Sequence, residues 1–131
     1  MGFIAVIVAA LAGFAVGAVW YIALSKHWIA ASGIRLGPDG KPDGGGSAMP
    51  FLVSGLAMLV VAGFMRHVFA MSGIDTLGAG LVAGLGVGLF FITPWLAMDY
   101  AYAARPAKLT VIDGGYAVIG CAVMGAILGL F

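Results

Sequence analysis

Charge is what this chain has least of. Only 8% of its 131 residues are Asp, Glu, Lys or Arg, against about 25% in an ordinary soluble domain. With 63% hydrophobic residues and 22 Gly, roughly four-fifths of the chain is apolar, and the mean hydropathy is +1.16. What remains cannot cover a water-facing surface, which excludes a soluble enzyme and a disordered regulator. The single cysteine, Cys121, cannot close an intrachain disulfide, so a secreted disulfide scaffold is excluded too. It lies in an apolar run and reads as a small packing residue. A net charge of +1 provides no basic field for nucleic acid. No metal-ligand cluster and no nucleophile beside a base can be found. The glycines of residues 37–46 lack the Lys-Ser/Thr of a phosphate loop. Neither catalysis nor a bound cofactor is expected.

Long apolar runs are what the chain has instead. Four of them exceed the roughly 18 residues needed to cross a bilayer. They cover about residues 2–24, 48–71, 76–98 and 109–131. Backbone groups in lipid must be satisfied within the segment, so such runs become helices. The fold class is therefore all-α, an integral membrane bundle of four transmembrane helices in one domain spanning residues 1–131. The first run has no basic stretch ahead of it and is long for a signal sequence, so a retained helix is expected. Pro50 opens the second run, where its missing N–H costs nothing. Pro94 near the end of the third is expected to kink or end that helix.

The connections differ in character. Ser25–Ser32, with Trp28 and Ile29, suits a short interfacial helix. The Gly/Pro/Asp-rich loop over residues 35–47 favours turns and is expected to be flexible. Ser72-Gly73-Ile74-Asp75 is a tight turn. Loops one and three carry Lys26, Arg35, Lys41, Arg105 and Lys108, while the other side holds only Arg66. The positive-inside rule then makes loops one and three cytoplasmic and puts both termini on the outer side. Trp20, Tyr21, Trp28, Trp95, Tyr100, Tyr102 and Tyr116 fall towards the same side.

Small residues recur every fourth position in three of the runs: Ala5, Ala9, Gly13, Gly17; Gly80, Gly84, Gly88; and Ala117, Cys121, Gly125, Gly129. Such seams let helix backbones approach closely. They serve either the inside of the bundle or a second copy or larger membrane complex, and the spacing leaves both open. Gly13-Phe-Ala-Val-Gly17 also echoes Gly84-Leu-Gly-Val-Gly88, a faint trace of a duplicated hairpin.

Ionisable groups within spans are candidates for function. Arg66 can snorkel or meet Asp75. His67 lies beside Met65 and Met71, soft ligands for copper, yet no cysteine or second histidine is near. Asp113 can cap the last helix or pair with Lys108 or Arg105. Alternatively Asp99 and Asp113 serve a cation or proton at a vestibule lined by Trp20, Tyr21, Trp95, Tyr100 and Tyr116. Two roles compete: a non-catalytic structural or accessory protein, with the bilayer and a homo-oligomer or membrane complex as partners, and a small oligomeric transporter or channel.

Gly17-Ala-Val-Trp20-Tyr21, Lys26-His-Trp28, Arg105-Pro106-Ala-Lys-Leu109, Asp113-Gly-Gly115-Tyr116 and Met124-Gly125-Ala-Ile-Leu128-Gly129 resemble the domain of unknown function 1761 family. The resemblance covers both ends of the chain and the four-span layout. It implies a small bacterial membrane-embedded protein and supplies no activity, cofactor or site.

Overall fold

The computed structural model describes residues 2–40 and 48–131. Five helices follow one another: α1 (Gly2–Ala23), α2 (Ser25–Ser32), α3 (Met49–Ser72), α4 (Leu77–Tyr102) and α5 (Ala107–Leu130). All but α2 are long and apolar enough to cross a membrane. Residues such as Phe3, Leu11, Val60, Phe64, Val82, Phe91 and Val111 point outward over these four helices. An outward apolar coat suits lipid and would be intolerable in water.

The expected spans hold with shifts at their ends. The third helix runs to Tyr102 rather than 98, and the fourth starts at Ala107 rather than 109. A lone carboxylate such as Asp99 does not terminate a helix, so the end of the hydrophobic run was a poor marker. The short helix over Ser25–Ser32 is present. Of the loop expected to be flexible, residues 41–47 lie outside the described residues. Gly37-Pro38-Asp39-Gly40 before them is a turn closed by Gly40 N donating to Gly37 O at 3.0 Å.

Helix ends have local causes. Gly73 takes φ +71, and Ile74 N donates to Phe69 O at 3.0 Å, a Schellman closure that joins Ile74 to the core beside Phe69. Thr76 Oγ1 accepts from Ala79 N and caps the start of α4. At the other end of α4, Arg105 N donates to Tyr100 O at 2.8 Å and places Ala104 at φ 58. That is a left-handed residue normally given to glycine. Pro106 follows and leads into α5.

α5 is the centre of the bundle. On one side α4 runs antiparallel to it with backbone against backbone. A Cβ on Gly80, Gly84 or Gly88 would collide with the carbonyl oxygen of Gly125, Cys121 or Ala117, and one on Gly129 with that of Thr76. Glycine hydrogens thus face carbonyl oxygens along the seam, a geometry of weak Cα–H···O bonds. On its other side α5 meets the small face of α1. Met124 fills the space over Gly13, and Tyr116 lies across Gly17. All three small-residue seams are used inside the monomer, so none is left over as an association face. Helix α3 closes the bundle on α1, with Ala62, Met65 and Phe69 buried against Ala5 and Ala9.

Pro94 does not end α4. Val87–Ile92 form a π-helical turn, and Thr93 donates both its N–H and its hydroxyl to Gly88 O, the latter at 2.7 Å. A proline ring would clash with the carbonyl four residues back, and the wider turn relieves this. The turn also adds one residue to the helix, which resets everything beyond it by about 100°. In an uninterrupted α-helix Trp95 and Asp99 would lie within about 20° of the Gly88 face, with Tyr100 about 120° away. With one residue absorbed, Tyr100 and Leu96 come within about 20° of that face, while Trp95 and Asp99 swing off it.

A carboxylate between two tyrosines in an intramembrane cleft

Asp113 lies about two turns inside α5. That is too deep to cap the helix, whose start is Pro106. Nor does it pair with the neighbouring bases. Arg105 donates to Ser32 O at 2.7 Å and so caps the C-terminal end of α2. Lys108 Nζ lies 3.2 Å from His27 Nδ1. These two contacts also bring loops one and three to one end of the bundle. Asp113 instead accepts two phenols. Tyr21 donates to Oδ1 at 2.6 Å and Tyr100 to Oδ2 at 2.5 Å.

The aromatic residues around it come from four helices. Tyr21 of α1 stacks edge-on against Tyr116 of α5 at 5.5 Å and against Trp28 of α2 at 6.4 Å between ring centres. Tyr116 donates to Gly13 O at 2.9 Å and touches Met58 Sδ at 3.4 Å, tying α5 to α1 and α3. Tyr100 reaches Asp113 because the π-turn has brought it round. Leu109, Ile112 and Ala31 are buried beneath this group and anchor α2 on α5.

A cleft of about 810 Å³ opens beside the carboxylate. Its long walls are one face of each of three helices, Ser54, Met58 and Val61 of α3, Ile92, Leu96 and Tyr100 of α4, and Asp113, Ala117, Cys121 and Met124 of α5, while Tyr21 and Trp28 line it from α1 and α2. These spacings of three and four are single helical stripes. Helices α3 and α4 share almost no contacts with one another although joined by a tight turn, and the space between them is the cleft. Its polar groups gather at the Asp113 end, and the far end is apolar. A second groove of about 490 Å³ runs on the opposite side of the first turns of α3, and Tyr21, Phe51, Ser54 and Tyr116 line both.

Of the residues singled out from the sequence, Asp113, Tyr21, Tyr100 and Tyr116 come together. Trp20 stands on another face of α5, donating Nε1–H to Ile112 O at 2.9 Å with its ring over Gly115. Asp99 and Trp95 are not brought to the site. Trp95 is 66% exposed and Asp99 is exposed as well. Among the described residues Arg66 meets neither Asp75 nor another acid; its guanidinium covers Gly2 at the start of α1. Sequence reasoning missed Ser54, Met58, Leu96, Cys121 and Met124 as cleft walls. Their helical spacing was a usable signal, but only the divergence of α3 from α4 turns such stripes into a cavity.

Four spanning helices around a central one of their own number, with an apolar outer coat, define a multi-pass α-helical membrane protein. The particular family is the one described as Protein of unknown function (DUF1761), which matches residues 4–129; the chain belongs to it. No curated protein and no solved structure matches the chain.

Proposed function

We propose that this chain is a non-catalytic protein of a bacterial inner membrane that binds a small ligand in the cleft beside Asp113, as a carrier or channel for a small solute or cation would. The observation that supports this is the uncompensated carboxylate. A charged side chain at the centre of a span costs about 2.5–3.5 kcal/mol on insertion scales and less towards its ends, and two phenols offset part of the cost at Asp113. Yet Arg105 and Lys108, both close in sequence, are engaged elsewhere, so among the described residues no base compensates Asp113, and a bound ligand can supply the counter-charge. The cleft volume falls within the range of small-molecule sites, roughly 300–1,000 Å³. Among the described residues no His, Lys or Arg lines it, and Asp113, the carboxylate that could serve as a base, is held by two phenols, which favours binding over catalysis.

The competing role, an accessory subunit held through its glycine seams, loses its contact faces because those seams are filled from within. Any homo-oligomer or membrane complex would form through the outward apolar faces of the spanning helices, and mass in mild detergent measures it. Loops one and three on the cytoplasmic side, with both termini periplasmic, fit the basic residues they carry; a reporter fused to the C-terminus that reads cytoplasmic overturns that orientation. The binding role itself is tested by native mass spectrometry of protein extracted in mild detergent. Wild type is expected to retain a small-molecule adduct that Leu96→Trp, which fills the cleft, does not. An adduct retained equally by both, or absent from wild type, refutes it.

A further inference from the structure

We infer that the cleft takes a lipophilic organic monocation, its charged head against Asp113 and its apolar body lying along α5 towards Met124; this rests on the binding role proposed above. The head end is one carboxylate whose two oxygens each hold a single tyrosine hydroxyl, leaving acceptor capacity on both. Tyr21, Tyr100, Tyr116 and Trp28 surround that end, and aromatic faces attract an organic cation. The body end is Val61, Ile92, Cys121 and Met124, which offer no oxygen or nitrogen side-chain donor for a hard ion.

Other ligand classes fit less well. Calcium or magnesium needs about six oxygen ligands and zinc about four from Cys, His or carboxylate, and among the described residues no such group of ligands gathers here. An inorganic monovalent ion would fill a small fraction of about 810 Å³ and leave the apolar length unused. An anion would meet Asp113 with no basic side chain among the described residues of the lining. A neutral apolar molecule would have no use for the carboxylate. From Asp113 to Met124 the cleft follows α5 for roughly 16 Å at 1.5 Å per residue, room for a body of several rings. Entry is lateral, between α3 and α4, where the two helices part, so the ligand arrives from the lipid and must itself partition there.

Tetraphenylphosphonium and tetraphenylborate, ions of nearly one size and opposite charge, test this by equilibrium dialysis against the purified full chain in mild detergent. Saturable binding of the phosphonium and not the borate is expected. Asp113→Asn, which keeps the shape and the hydrogen-bonding capacity of the side chain, is expected to weaken phosphonium binding about tenfold or more while the chain stays monodisperse. Leu96→Trp is expected to abolish it. Borate binding as tight as phosphonium binding in wild type overturns the cation assignment without needing any variant to fold, and so does a folded Asp113→Asn that binds unchanged. If Leu96→Trp still removes whichever ion binds, the cleft remains a binding site for another class. If neither ion binds saturably, or Leu96→Trp has no effect, the binding role falls as well.

Discussion

Gly84→Ala is the sharpest test of how this bundle is held together. Its new methyl would strike the carbonyl oxygen of Cys121 and sit 2.9 Å from that carbonyl carbon and 3.1 Å from Gly125 Cα. Carbon atoms rest at about 3.5–4.0 Å, so α4 and α5 must part by at least about half an ångström here, and further to clear the oxygen. Both walls are backbone, and no rotamer can absorb the shift. Overpacking of this kind costs about 1–3 kcal/mol. The rigid retreat also weakens the neighbouring contacts at Gly80 and Gly88, each Cα–H···O bond being worth about 0.5–1 kcal/mol. A loss of about 2–3 kcal/mol is expected. Gly78→Ala on the same helix is the control: nothing lies within 4 Å of the added methyl, and Ala favours helix over Gly by up to about 1 kcal/mol. Unfolding by sodium dodecyl sulfate in mixed micelles, followed by tryptophan fluorescence, should separate the two variants by a factor of roughly 100 in the unfolding constant. If they unfold within about 0.5 kcal/mol of each other, the helices are not in backbone contact and the account of the seam is wrong.

Three further outcomes follow from the same geometry. Deleting Leu89 from the π-turn in a Pro94→Ala background removes the extra residue and keeps Tyr100 on its face, so monodisperse protein is expected; deleting the similarly exposed Leu81 from the seam rotates the rest of α4 by about 100° and is expected to abolish folding, and equal damage from both would refute the reset. Ala104→Gly relieves a left-handed residue (φ 58) and should raise stability by about 1 kcal/mol in the same denaturation assay; no gain means that this closure is unstrained. Arg105→Ala removes the guanidinium from Ser32 O and should cost about 0.3–1 kcal/mol, read as faster amide exchange over residues 29–33 with α1 and α3 unchanged; exchange that does not move there sinks the capping role.

Much of the architecture was legible in the chain because a bilayer imposes a length and a polarity on anything that crosses it. The four runs, the α2 segment and the Gly73 turn each follow from a local rule of that kind. The small-residue seams were legible as seams but not as pairs, since four-residue spacing says how close a partner can come and not which helix it is. Asp113 was visible as an odd charge in an apolar run. Its tyrosine partners stand 92 and 13 residues away, and a bond across that separation leaves no local pattern.

Trp95 and Asp99 show most plainly where local reading stops. By α-helical period both belong on the face of the Gly88 seam, and Tyr100 does not. One residue taken up by the turn at Val87–Ile92 exchanges them, and what holds that turn open is Thr93 bonded to Gly88 O beside α5. The order of apolar and polar residues along the chain determined that this protein lives in lipid and crosses it four times, because solvent acts on every residue independently of the fold. Which tyrosines hold the carboxylate, and that a cleft exists between α3 and α4, were decided only by packing. Helix rotation is a collective variable that one inserted residue can reset, and no residue by itself encodes it.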